Sequence, residues 1–232
     1  MPRSFRFSLL AAALMAAPIA NAYDAGDLVV RAGVAAVDPQ DSSNSVRVGD
    51  TELTGWEVNV DSNRQLGLTA SYLVTNHIGI GLLAATPFKH NIRGDGDALS
   101  GAGKLAETKH LPPTLTLQYF PLAAGSRFQP YAGVGVNYTL FFEEKTTPTL
   151  TGALNAASTS IELDDSVGLA AELGLDVALD DRFGINAAIW WVDIDTEATI
   201  RAFDGAGDLA ATGTVDVDID PLVYMVGFTY RF

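Results

Sequence analysis

From Leu222 to Phe232 every second side chain is large: Leu222, Tyr224, Val226, Phe228, Tyr230 and Phe232 alternate with Val223, Met225, Gly227, Thr229 and Arg231. A period of two marks a β-strand with two unlike faces. The same alternation runs through 66–74, where Leu66, Leu68, Ala70, Tyr72 and Val74 oppose Gly67, Thr69, Ser71 and Leu73. It returns in 167–179, where Val167, Leu169, Leu173, Leu175, Val177 and Leu179 oppose Gly168, Ala170, Glu172, Gly174, Asp176 and Ala178. One face is continuously bulky and apolar, the other small or polar.

Segments of this kind are predicted at 27–38, 64–74, 77–87, 111–121, 128–142, 165–179, 183–197 and 217–232, an even number of strands. The gaps after the second, fourth and sixth are tight, at 75–76, 122–127 and 180–182. The stretches 39–63, 88–110, 145–164 and 202–216 are long, polar and Gly-rich, and are expected to be loops without assignable structure. A soluble sandwich needs large side chains pointing inward from both sheets, whereas a narrow membrane barrel needs small ones inside and apolar ones facing lipid. The expectation is therefore an all-β fold: an eight-stranded antiparallel transmembrane β-barrel with short periplasmic turns and long extracellular loops. Its terminal aromatic, Phe232, fits the pattern by which barrel-assembly machinery reads a last strand.

Composition narrows the class. Residues 1–22 carry Arg3 and Arg6, an apolar run and an Ala20-Asn21-Ala22 end, the form of a secretory leader cut after Ala22, which leaves 23–232 as the barrel. The formal charge of −14 disfavours nucleic acid as a partner. No cysteine is present, which excludes a disulfide framework and thiol chemistry. The expected location is the bacterial outer membrane, with outer-membrane lipids and lipopolysaccharide as surroundings.

Strand parity sorts the interior. It sends Leu73, Leu83, Ala85, Thr114, Thr116, Asn137, Phe141, Ala188, Trp190, Val192, Val223 and Met225 into the lumen, a mostly apolar lining half-way up. Lower down it sends Arg31, Gln118, Glu172, Asp176, Asn186 and Arg231 inward. Charges in a dry lumen are costly unless paired, so an Arg/Glu/Asp network closing the periplasmic half is expected. Trp191 falls outward as an interfacial anchor. Pro87 ends one strand, and Pro112 and Pro113 open the next; proline cannot donate to a ladder, so pairing should fail there and leave a lateral window, or simply mark a strand end.

Six stretches in order resemble the OmpW family of small outer-membrane proteins: "AGDLVVRAG" (25–33), "QLGLTASYLVTNHIGIGLLAATPFKH" (65–90), "HLPPTLTLQYFP" (110–121), "FQPYAGVGVNYTLFF" (128–142), "WWVDIDTEA" (190–198) and "VDIDPLVYMVGFTYRF" (217–232). The resemblance implies an eight-stranded barrel with an apolar lumen that passes small hydrophobic compounds. It also places a constriction at Leu83 and Trp190.

Other signals carry less. "AGVGVN" at 132–137 lacks the strand-turn-helix setting of a phosphate loop, and its glycines read as space-saving in the lumen. His77, His90 and His110 lack metal-ligand spacing; His90 and His110 bracket one long loop and could meet, with solvated loop positions the favoured reading over a ligand pair. Asp193, Asp195, Asp216, Asp218 and Asp220 near the outer rim are either a solvated edge or a place for a divalent cation of the lipopolysaccharide layer. No metal, cofactor or catalytic group is assigned, and no enzyme activity is expected. Two functions compete: passive passage of small hydrophobic ligands, or a loop-mediated receptor, adhesion or envelope-stabilising role with a non-conducting lumen.

Overall fold

The computed structural model describes residues 23–99 and 101–232. The leader expected at 1–22 lies outside them. The strands in chain order are β1 (Leu28–Asp38), β2 (Ser42–Ser43), β3 (Arg47–Val48), β4 (Thr51–Glu52), β5 (Glu57–Val60), β6 (Asn63–Leu73), β7 (Ile78–Ala85) and β8 (Phe88–Asp95). They continue with β9 (Lys104–Leu111), β10 (Thr114–Tyr119), β11 (Phe128–Thr146), β12 (Ser158–Leu163) and β13 (Ser166–Ala178). The last four are β14 (Phe183–Val192), β15 (Asp195–Phe203), β16 (Leu209–Asp218) and β17 (Leu222–Arg231). Two short helices, α1 (Gly96–Leu99) and α2 (Pro148–Ala153), sit among the outer segments.

Eight strands close into a barrel in the order β10-β7-β6-β1-β17-β14-β13-β11, with β11 returning to β10. Every pair is antiparallel, and the first and last strands meet in one ladder from Val29↔Arg231 to Asp38↔Leu222. Closure pairs each of these eight strands on both sides, in a solvent that offers no hydrogen bonds. The tight turns are built locally: Val74 N–H donates to the Ile78 carbonyl at 2.8 Å, and the Asp180 carboxylate accepts the Arg182 and Phe183 N–H groups at 2.8 Å each. The bulky face looks outward, with Val134, Val167, Leu173, Val226 and Phe228 all more than half exposed.

The stretches expected to be loops are not loops. The hairpin of β8 and β9 extends the wall above β7 and β10 and pairs with the upper end of β11 and with β5. Opposite it, β12, β15, β16, β3 and β4 form a second sheet, with β2 on its flank. The reason is a change of solvent at unchanged parity. Along β14 and β15 the even positions stay inside from Gly184 to Ala202, while the outward ones switch from Ile185 and Trp191 to Asp193, Asp195 and Glu197. Above the membrane the outer face meets water, so the apolar side chains are the inward ones: Phe88, Ile92, Ala198, Ile200, Val215 and Val217 are buried. These segments are as amphipathic as the barrel strands, with the sign of the pattern reversed.

Candidate functional site

The floor of the barrel is sealed by polar groups. Arg31 on β1 is fully buried and holds Asp176 of β13, with Nη2 2.5 Å from Oδ2 and Nε 2.9 Å from Oδ1. Its Nη1 donates to Ser71 Oγ at 2.7 Å, and its guanidinium lies 4.8 Å from the centre of the Tyr131 ring. Asp176 also accepts from Asn186 Nδ2 at 2.9 Å, Thr229 Oγ1 at 3.0 Å and the Tyr23 hydroxyl. Tyr23, Phe120 and Tyr131 stack beside this pair, at 5.5 Å for Tyr23 on Phe120 and 5.3 Å for Phe120 on Tyr131.

Glu172 forms a second unit. It accepts Thr116 Oγ1 at 2.6 Å and Gln118 Nε2 at 2.8 Å, both neutral donors. Gly81 and Gly133 make room for it: a Cβ on Gly133 would strike the Glu172 carboxylate, and one on Gly81 would come within 2.6 Å of Thr116 Oγ1. The single network expected from the sequence is thus two units, and Arg231 belongs to neither. Thr229, two residues earlier on β17, is the one that reaches Asp176; Arg231 lies at the periplasmic rim, where Nη1 is 3.4 Å from Asp27 Oδ2. Leu73, placed half-way up by parity, ends β6 beside the same rim, its N–H on the Asp27 carbonyl at 2.9 Å.

Above the seal, Leu83, Ala85, Val192 and Val223 line a narrow apolar cavity together with Ala35, Val37, Thr114 and Pro112. Trp190 and Met225 are inward and 1 % exposed, but neither borders this space; Trp190 is packed in the wall beside its ladder partners Glu172 and Val223. Phe141 is also inward, but above the barrel, in the next cavity out.

At the level of this cavity one seam of the wall lapses. The β7–β10 ladder ends at Leu83↔Thr114 and the β8–β9 ladder begins at Phe88↔His110, leaving residues 84–87 and 111–113 unpaired with one another. Pro87, Pro112 and Pro113 flank the lapse: Pro87 is exposed, Pro113 half-buried and Pro112 buried. The Pro113 carbonyl is taken on its other side by Tyr138 N–H at 3.1 Å and Asn137 Nδ2 at 3.2 Å. Ala84 follows the lipid-facing parity of Ile80 and Leu82, yet it lines the same cavity as Ala85.

The outer extension encloses a larger apolar space. It lies between its two sheets, lined by Val58, Ile92, Leu105, Phe141, Leu150, Ile200, Val217 and neighbours, with His90, His110, Thr108 and Thr196 as its polar members. A further cavity towards the tip shares Val58, Leu105, Leu150 and Ile200 with it and reaches Trp56. His110 borders both the cavity between the sheets and the cavity at the lapsed seam. By contrast, a hollow at the periplasmic mouth, lined by Tyr23, Gln129, Asp176 and Arg182, shares no residue with the three upper spaces.

His90 and His110 are buried, contrary to the solvated-loop expectation, because β8 and β9 turn them inward onto Phe88 and Phe141. Burial lowers the pKa of both, that of His110 to about 3. The outer-rim carboxylates of Asp193, Asp195 and Asp220 converge within 4.8 Å. Two of them cap backbone amides where the wall strands break: Asp193 accepts Leu169 N–H and Asp220 accepts Ile194 N–H, each at 3.3 Å. The outer cavity was missed in the sequence because its lining comes from stretches rich in charge; period two at Phe88, His90 and Ile92 was the signal available.

The profile of the OmpW family matches residues 24–232. Outer membrane protein W of Vibrio cholerae is 45% identical over 221 residues, covering 95% of each chain. Outer membrane protein W of Escherichia coli K12 is 37% identical over 213 residues, 92% of each. Among solved structures, the crystal structure of the outer membrane protein OprG from Pseudomonas aeruginosa superposes with a TM-score of 0.82 at 44% identity, covering 92% of this chain and 99% of that one.

Proposed function

The chain belongs to the OmpW family of outer-membrane barrels, and from that premise we propose that it is a passive channel through which small hydrophobic molecules enter from outside and leave sideways into the outer leaflet. The observation that carries this reading is the pairing of an apolar path above with a polar seal below. Three abutting cavities lead from Trp56 at the tip to the lapsed seam at Pro87, Pro112 and Pro113, and the way further down is closed by Arg31 and Asp176.

Magnitudes favour the lateral exit. An apolar solute gains about 25 cal/mol for each Å² of its surface taken out of water, so the upper cavities attract it. Continuing downward means separating a buried ion pair, which costs roughly 3–5 kcal/mol. Leaving through the seam breaks no ladder hydrogen bond between 84–87 and 111–113. Lipid and lipopolysaccharide surround the apolar band, and the terminal strand ending in Phe232 is the segment offered to assembly machinery. The protein is read as non-enzymatic: His77 Nδ1 and His90 Nδ1 are engaged with the backbone carbonyls of Phe120 and Asp61, not with a hydroxyl nucleophile.

The test is delivery of a hydrophobic dye to liposomes carrying the folded protein. Leu83→Trp fills the cavity at the seam and is expected to abolish delivery while leaving the heat-modifiable barrel intact. Unchanged delivery by folded Leu83→Trp would sink the channel reading and favour a receptor function of the outer extension.

A further inference from the structure

His90 and His110 lie against one another where the outer cavity meets the cavity at the seam, with ring centroids 4.7 Å apart. Their surroundings are hydrocarbon: Phe88 and Phe141 stand edge-on to His110 at 5.6 and 5.8 Å, and the rings are 1 % and 3 % exposed. His90 Nδ1 lies 2.5 Å from the Asp61 carbonyl oxygen, which can only accept. That contact places the proton on Nδ1 and leaves Nε2 of the neutral ring as an acceptor. Among the described residues neither His90 Nε2 nor His110 Nε2 has a hydrogen-bond partner. Unpartnered buried nitrogens are unfavourable, and a native fold that keeps two side by side in an apolar cavity calls for a reason.

We infer that His90 and His110 form a polar recognition point on the apolar path, which selects hydrophobic molecules bearing one hydroxyl group, such as alkanols or phenols, over plain hydrocarbons. A hydroxyl hydrogen meets His90 Nε2, and the hydroxyl oxygen is within the chemistry of His110, whose Nε2 is free to donate or accept. The alkyl or aryl remainder lies along Leu150, Ile200 and Val217. A hydrocarbon fills the same space but leaves both nitrogens unpartnered, so discrimination comes from the pair and capacity from the cavity. The place of this site in transport rests on the channel reading; its binding preference does not.

The experiment uses the full barrel in phosphatidylcholine nanodiscs with ¹⁵N-labelled histidine, titrated with 1-decanol and with decane. The parent should bind decanol about threefold to tenfold more tightly than decane, the worth of one hydrogen bond, with a saturable shift of the His90 Nε2 resonance. In His110→Phe and in His90→Phe the preference should fall within about twofold, with decane affinity retained as the sign of an intact cavity. Equal affinity for the two compounds in the parent overturns the inference, as does an undiminished preference in folded His110→Phe. Delivery to liposomes separates the two readings. A parent that prefers decanol but delivers neither compound keeps the site and loses the channel; one that binds the two equally and delivers both keeps the channel and loses the site.

Discussion

Arg31 and Asp176, 145 residues apart in the chain, meet on the barrel floor as a bidentate ion pair from which solvent is almost fully excluded. Either one alone is a buried charge. Asp176→Asn or Arg31→Met is therefore expected to cost about 3–5 kcal/mol, and the double replacement Arg31→Met with Asp176→Leu to recover most of it. Urea unfolding in detergent, followed by the gel shift of the folded barrel, measures both. Additive losses in the double variant would mean that the pair is not coupled.

Interior glycines should differ in how much they tolerate. A Cβ on Gly135 would meet the Leu115 carbonyl and come 2.7 Å from Thr116 Cα, both backbone, whereas on Gly133 it meets the movable Glu172 side chain. Gly135→Ala is expected to lose about 1–3 kcal/mol or fail to close the barrel, Gly133→Ala to lose less, and Gly152→Ala, in open space, to lose nothing. Heat-modifiability midpoints rank the three, and a reversed order of the first two would refute the steric account.

The outer extension should loosen in acid. His90 and His110 have lowered pKa values in the fold, about 3 for His110, against about 6.5 when unfolded, so the unfolded form binds more protons between those values. Stability contributed by the neutral pair is complete above about pH 6.5 and is lost as pH falls towards 3. Amide protection factors of β8 and β9, taken relative to intrinsic exchange at each pH, should fall between pH 8 and pH 4 in the parent and much less in His110→Phe. A pH-independent profile in the parent would contradict this.

The solvent boundary along each wall strand can be mapped with arginine. Val226→Arg, on the lipid face of β17, is expected to cost about 2–4 kcal/mol in liposomes. Thr199→Arg, outward on β15 beside Arg201, is expected to be close to neutral. Equal costs would place the upper strands in lipid and remove the boundary between Trp191 and Asp193.

Much of this architecture was written in the chain. Parity alone placed Arg31, Glu172, Asp176, Val192 and Val223 inside and Leu173, Val226 and Phe228 outside, because each wall strand has lipid on one face and a narrow interior on the other. The prolines marked where pairing lapses, since a missing N–H is a property of the residue itself. The outer sheets are hidden in the sequence, because the outward side chains of a strand such as β8 are charged, Lys89 and Arg93, where the membrane strands carry apolar ones. Arg231 stands apart from the expected network for a different reason: alternation gives the side of the wall but not the height, and its height brings it to Asp27 rather than Asp176. The meeting of His90 with His110 depends on the register of β8 and β9, which no local pattern specifies.

The reversed polarity of the upper strands gives the molecule a chimney. A strand such as β15, nine residues long, rises about 30 Å at roughly 3.3 Å per residue before tilt is allowed for. A hydrated saccharide coat on the cell surface is a poor solvent for oil-like solutes and keeps them from the bilayer they would otherwise dissolve in. On the channel reading proposed above, an apolar shaft with a charged exterior would carry its mouth through such a layer, and the buried Arg31–Asp176 pair at its base would let solutes reach the bilayer without a water-filled hole to the periplasm.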